Sequence, residues 1–114
     1  SELTKKIKLG GKEFSSADES VDASNLGIGD ISAASGFKNI RHLDLSNNVI
    51  TSVSALGSLK TLETLDLSDN NISDASPLHS LKNLRLLHIE QNGLSDDQIA
   101  DLKSALPKCT IIFE

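Results

Sequence analysis

Aromatic residues are almost missing from this chain: three Phe, no Tyr and no Trp in 114 residues. Its core therefore has to be assembled from Leu, Ile, Val and Ala. A lone cysteine, Cys109, excludes an internal disulfide and leaves the redox compartment open. Long apolar runs are absent too. No window approaches the roughly 18 apolar residues that a membrane-spanning helix needs. Basic charge is short: 11 Lys and Arg against 16 Asp and Glu give a net charge of −5. That balance argues against a nucleic-acid surface and against docking on an anionic membrane. The signatures of common catalytic sites are also absent. There is no nucleophile elbow, no dinucleotide fingerprint and no zinc-ligand spacing. Gly10-Gly11-Lys12 lacks both the spacing and the following helix of a phosphate-binding loop.

What the chain has is a repeat. Ile40, Leu43, Leu45, Asn48 and Ile50 fall in the frame L-x-x-L-x-L-x-x-N-x-L. The frame recurs at Leu62, Leu65, Leu67, Asn70 and Ile72, and again at Leu84, Leu87, Ile89, Asn92 and Leu94; both steps are 22 residues. One step back lie Val21 and Ala23, and one step forward lie Cys109 and Ile111. Five strands are predicted in one register, near 21–23, 43–45, 65–67, 87–89 and 109–111. Alternation with period two is that of a strand with one buried face. The Asn falls where the chain leaves the strand, and its amide can both donate to and accept from backbone groups freed by the turn. Stacking predicts a structural ladder of Asn48, Asn70 and Asn92. In the first turn Leu26 stands in the Asn column and Asn25 one place early, which predicts an irregular turn. Beyond each turn the apolar step becomes three, as in Ile50, Val53, Leu56 and Leu59, the spacing of 3₁₀ or irregular segments. Ser76-Pro77-Leu78 also speaks against a full helix.

These residues resemble the leucine-rich repeat family, and the 22-residue period resembles its bacterial internalin-like class. The resemblance covers residues 18–112. It implies an α/β fold: a right-handed solenoid with a parallel concave sheet of about five strands and a mostly 3₁₀ or irregular convex wall. One domain over 1–114 is expected, with an N-terminal cap at 1–17, repeats at 18–94 and a C-terminal cap at 95–114.

A solenoid exposes an apolar cross-section at each end and needs closing there. Ile7-Lys8-Leu9, Gly10-Gly11 and Phe14 predict a short hairpin over the first turn. At the other end Ser95-Asp96-Asp97-Gln98 fits a capping box. Ile99, Leu102, Ala105 and Leu106 follow at helical spacing, Pro107 stops the helix, and 109–113 forms the last strand. Two closures predict a complete capped fold rather than a piece cut from mid-array.

The outward positions of the strands form columns. Ser20, His42, Thr64 and Leu86 precede the central position. Asp22, Asp44, Asp66, His88 and Thr110 follow it, and then come Ser24, Ser46, Ser68, Glu90 and Ile112. Asp44, Asp66 and His88 suggest an ion site, but a column on a flat sheet does not close a coordination shell. The Asp column is read as solubilising, and no metal or cofactor is expected. His42 and His88 are read as solvated, and His79 as an incidental residue of the outer wall. Leu86 and Ile112 break polar columns. They form either a small exposed patch or part of the C-terminal cap core. Cys109, in an interior Leu position, is read as a small buried hydrophobe.

The functional expectation is a monomeric, non-enzymatic module that binds a protein partner on the concave face. His42, Asp44, Thr64, Asp66, Leu86, His88, Thr110 and Ile112 are the candidate contacts. A secreted or cell-surface bacterial setting is expected. The alternatives are a spacer or minimal repeat scaffold without a ligand, and a cytoplasmic phosphatase-regulator-like repeat protein.

Overall fold

The computed structural model describes residues 4–114; the first three residues of the expected N-terminal cap lie outside them. Its longest dimension is 44 Å and its shortest 17 Å. Strands β1 (Lys6–Leu9) and β2 (Lys12–Ser15) pair antiparallel. Strands β3 (Ser20–Asp22), β4 (His42–Asp44), β5 (Thr64–Asp66), β6 (Leu86–His88) and β7 (Thr110–Ile112) form one sheet in chain order. Every neighbouring pair in that sheet is parallel. The returns are 3₁₀ segments at Ser32–Gly36, Ser54–Leu56 and Ser76–Ser80, and the last return is the helix α1 (Asp96–Ala105).

The period explains the core. Val21, Leu43, Leu65 and Leu87 pair in sequence across β3 to β6 and are all buried. Ile50, Val53, Leu56 and Leu59, stepping by three, line the opposite wall and are also buried. Each Leu or Ile moved out of water contributes roughly 1.5–3 kcal/mol, so two walls of aliphatic residues can hold the fold without aromatic packing.

The turns are built alike. Asn25, Asn47, Asp69 and Gln91 each take a left-handed φ of 57–58°. This is the αL region, which Asn and Asp tolerate best among residues with side chains. The first turn was expected to be irregular. At this step it is not: Asn25 takes the same backbone conformation as its three counterparts. The residue one place later is the ladder Asn. Asn70 Nδ2 donates to the carbonyls of Leu45, Leu67 and Ser68, and its Oδ1 accepts from Ile50 N. Asn48 and Asn92 bridge their own and the preceding turn in the same way. Leu26 needs no such bridge because no turn precedes it. The hairpin covers it instead. Gly10, at φ +56°, comes so close that an added Cβ would lie 2.8 Å from Leu26 Cβ and from Ile28 Cγ1.

The N-terminal end is the expected hairpin, and the C-terminal end differs in detail from expectation. Ile7 and Leu9 are buried in the first turn, and Phe14 meets Phe37 edge-on with centroids 6.4 Å apart. At α1 the capping box is half formed. Ser95 Oγ accepts from Gln98 N, but the Gln98 side chain accepts from Ala75 N of the preceding turn. Gln98 thereby ties the helix to the last 3₁₀ segment instead of closing its own N-terminus. The larger correction is the last register. Leu87 pairs with Ile111, a step of 24 residues and not 22. A full helix followed by Pro107 takes two residues more than a 3₁₀ return. Cys109 accordingly does not take the interior Leu place. It is half-buried outside β7 and only packs against the core edge.

Candidate functional site

A strand with one face in the core turns its alternate residues outward, and the stacking of β3 to β7 brings these into rows about 4.8 Å apart. The first row is Ser20, His42, Thr64, Leu86 and Thr110; the second is Asp22, Asp44, Asp66, His88 and Ile112. The two-residue slip moves Thr110 beside Leu86 and Ile112 beside His88. From the 22-residue spacing each would stand one row further on. A recess of about 340 Å³ lies over His42, Asp44, Thr64, Asp66, Leu86 and His88.

The side chains in the rows are organised. Asp22 Oδ1 accepts from both the backbone N and the Oγ of Ser24, and Asp44 does the same with Ser46 and Asp66 with Ser68. These two-residue Asx locks fix the carboxylates along the sheet. Hydrogen bonding to Ser24 holds the Asp22 carboxyl below its ordinary pKa. The i, i+2 spacing stands in the sequence as Asp-x-Ser in the first three repeats, but the lock itself joins two columns and shows only in the structure. In β6 the lock is replaced by a different pair, His88 Nδ1 to Glu90 Oε2 at 3.2 Å. His88 is therefore not a freely solvated side chain. His42 is exposed, and its Nδ1 lies 2.8 Å from Thr64 Oγ1. His79, on the outer wall, is half-buried, and its Nε2 has no partner.

Leu86 and Ile112 are each half-buried, on adjacent strands and diagonal across the sheet from one another. They are not a fully exposed patch. Among the described residues, the large hydrophobic side chain that does stand exposed is Val49, in the turn after Asn48. The three carboxylates Asp22, Asp44 and Asp66 do not gather round a common point, and no cluster of three or more His, Cys, Asp and Glu suited to a metal occurs among the described residues. The Cys109 thiol is pushed up to about 11 by burial, which keeps it protonated and unreactive near neutrality.

One charged column escaped the sequence reading altogether. Glu19, Arg41, Glu63 and Arg85 alternate in sign at 22-residue intervals just before the strands. Arg41 Nε reaches Glu63 Oε2 at 2.6 Å, Arg85 Nη2 reaches Glu63 Oε1 at 2.9 Å, and Arg41 lies 3.8 Å from Glu19. The hydrogen bond from Arg41 holds the Glu63 carboxyl below its ordinary range and raises the Arg41 guanidinium in return. Its signal in the sequence is the same 22-residue frame, one position before the outward column of Ser20, His42, Thr64 and Leu86.

The comparisons agree with this geometry. Two family models match, "Leucine rich repeat" over residues 21–72 and "Leucine Rich repeats (2 copies)" over residues 60–108. No curated protein is a significant match to the chain. Among solved structures, internalin C2 of Listeria monocytogenes is similar at 40% identity and a TM-score of 0.62, over 74% of this chain and 37% of that one. A second Listeria monocytogenes internalin (inlF) is similar at 28% identity and a TM-score of 0.68, over 75% and 24% of the two chains. A leucine-rich repeat protein of Leptospira interrogans matches at 31% identity and a TM-score of 0.68, over 75% and 22%. The chain thus spans less than two fifths of the length of each of these proteins. With its 22-residue turns, asparagine ladder and parallel sheet, the chain belongs to the leucine-rich repeat family and is internalin-like.

Proposed function

We propose that this chain is a protein-binding module that engages its partner on the outward, concave face of the sheet. Leucine-rich repeat domains generally mediate protein–protein interaction, and the family is typically non-enzymatic. One observation carries the choice of face. Inward positions repeat from turn to turn, whereas the outward rows change, one from Ser20 and His42 through Thr64 to Leu86 and the other away from Asp at His88 and Ile112. The fold constrains the first set and leaves the second free for recognition. At the β6–β7 end the row offers half-buried Leu86 and Ile112 beside the His88–Glu90 pair and Thr110. Apolar side chains rimmed by polar ones are what the centre of an interface requires. His42, Asp44, Thr64 and Asp66 supply the polar part of the contact.

The partner is a protein, and a monomeric module at the bacterial surface or outside the cell is the setting proposed. The likeness to Listeria internalins supports that setting. No helix among the described residues is long and apolar enough to cross a membrane. The test is comparative capture. Immobilised wild type and a Leu86→Glu/His42→Glu variant are exposed to the same extracellular protein mixture, with Ser35→Glu on the outer wall as control. A protein held by wild type and control but released by the double variant is the expected result. Equal retention by all three would reject the concave face.

A further inference from the structure

The repeat separates charge as well as polarity. Between Ser20 and Leu94 all five basic residues, Lys38, Arg41, Lys60, Lys82 and Arg85, fall in the five positions before a strand. Seven of the eight acidic residues in that stretch lie on or after a strand; the exception is Glu63. Stacking converts this into two edges of opposite sign on a chain that is acidic as a whole. On the edge where the chain enters the sheet, a groove of about 580 Å³ runs across successive turns. Asn39, Thr61 and Asn83 line it, one per turn, together with the Glu19–Arg41–Glu63–Arg85 column.

Three features of the groove bear on what it can hold. First, Lys38, Lys60 and Lys82 each come one residue before a lining position (Asn39, Thr61 and Asn83) and are exposed, though they are not themselves part of the lining. Lys82 Nζ donates to the Ala105 carbonyl at 2.7 Å, whereas Lys38 and Lys60 have no ion-pair or hydrogen-bond partner for their ammonium groups among the described residues. Second, Glu63 is gripped by both arginines and so orients them; each guanidinium still has donors to spare, and the Arg85 side chain is 72% exposed. Third, Lys82 borders a second recess, of about 380 Å³, with Leu84, Ala105, Leu106, Pro107 and Cys109 in its walls; Lys82 and Leu84 flank the groove residue Asn83 in the chain.

We infer that this edge is a second interaction surface, distinct from the concave face, and that it takes an extended acidic polypeptide segment ending in an aliphatic side chain. An extended chain in the polyproline II conformation rises about 3.1 Å per residue with three residues per turn, so side chains three residues apart point the same way about 9 Å apart, close to two steps of the sheet at about 4.8 Å each. Carboxylates three residues apart can therefore face Arg41 and Arg85 together, with the unpaired Lys38 and Lys60 alongside. Asn39 and Asn83 meet the backbone amides between them, and the apolar recess receives the terminal side chain. No aromatic ring lines either recess. That disfavours a nucleic acid, whose bases need stacking platforms, and the apolar recess disfavours a sulfated glycan.

The probe is a fluorescein-labelled peptide with Glu at every third position and a C-terminal Leu, measured by anisotropy against the full chain. Binding is expected, weakening steeply from about 0.1 M to about 1 M salt as the Debye length falls from about 10 Å to about 3 Å. Lys38→Glu/Lys60→Glu should weaken it about tenfold or more, since two attractions become repulsions. Leu86→Ala/His42→Ala, which trims the concave face without adding charge beside Arg41 and Arg85, should leave it unchanged, so failure here and failure of the concave-face reading are told apart. Circular dichroism confirms that each variant is folded. The inference is overturned if the peptide does not bind, if the double lysine reversal has no effect, or if heparin or single-stranded DNA binds more tightly than the peptide.

Discussion

The asparagine ladder makes a prediction that single substitutions alone cannot reveal. Asn70 Nδ2 donates to Leu45 O, Leu67 O and Ser68 O, and its Oδ1 accepts from Ile50 N. Each of the three carbonyls has a second donor: Asn48 Nδ2 for Leu45 O, Asn92 Nδ2 for Leu67 O, and Asn47 N for Ser68 O. Asn70→Ala therefore orphans one buried group outright, the Ile50 N–H, at about 1–3 kcal/mol. It also removes three bonds whose acceptors keep another partner. A total near 2–4 kcal/mol is expected. Asn92→Ala should cost less, because Asn92 is only half-buried and water can replace part of what is lost.

The two substitutions together strip Leu67 O of both its side-chain donors. The double variant should then lose about 1–2 kcal/mol more than the sum of the singles. Asn48 and Asn92 share no acceptor. That pair should add to within about 0.5 kcal/mol. The assay is a double-mutant cycle by urea denaturation, with trimethylamine oxide present to keep the doubles folded. If the Asn70/Asn92 pair is as additive as the Asn48/Asn92 pair, the turns are not coupled through shared carbonyls and the ladder argument fails.

Other outcomes follow from the same geometry. Leu65 is 1% exposed, so Leu65→Ala should cost about 2–5 kcal/mol; Asp66→Ala, which loses only its lock on Ser68, should cost under about 1 kcal/mol, and equal melting shifts would contradict the register. Gly10→Ala adds a clash at 2.8 Å to a left-handed φ, whereas Gly11, at φ +81°, has nothing within 4 Å; thermal melts should show Gly10→Ala as clearly the worse of the two, by about 1–3 kcal/mol. With its thiol at about 11 instead of 9, Cys109 should react with iodoacetamide at pH 8 about tenfold more slowly than an unperturbed thiol of pKa 9, the loss of thiolate being partly offset by its greater nucleophilicity, and its rate should climb with pH until near 11; a rate at pH 8 equal to that of the unperturbed thiol would refute the raised value. Glu63 and Asp22 carry folded-state pKa values below their ordinary ones, so their contribution is present above the ordinary carboxylate range and is lost as the pH falls through the depressed values. Acid titration of Glu63→Gln should accordingly show a smaller loss of stability below about pH 4.5 than wild type.

The solenoid was legible because one period governs both walls. A residue such as Leu65 has to face inward wherever Leu43 and Leu87 do, and a strand period of two with a return step of three allows few other arrangements. The hairpin was legible for a local reason: Gly10 and Gly11 permit the left-handed turn that the structure shows at both positions. Less visible were features that depend on side chains meeting across turns. The grip of Arg41 and Arg85 on Glu63 joins residues 22 apart that only stacking makes neighbours. Gln98 shows the converse error. Its position three after Ser95 is a local capping signal, but the Ala75 N–H needed an acceptor from another turn, and the longer-range bond won.

The misplaced last strand has the most bearing on function. Extrapolating the 22-residue step puts Thr110 beside His88 and Ile112 beside Glu90, but α1 lengthens the return to 24 residues. A slip of one residue would have turned β7 inside out. A slip of two preserves which residues face outward and changes only their neighbours. Thr110 and Ile112 stay on the candidate surface, now opposite Leu86 and His88, and the two apolar side chains lie diagonally across one strand pair instead of two rows apart. The helix that closes the core thus also sets the composition of the candidate face at its end. Shortening that return by two residues, by deletion within 107–109, would be expected to disrupt the cap, not to restore the 22-residue register. Pro107, and the bond from Lys82 Nζ to Ala105 O at the end of the helix, fit the longer path.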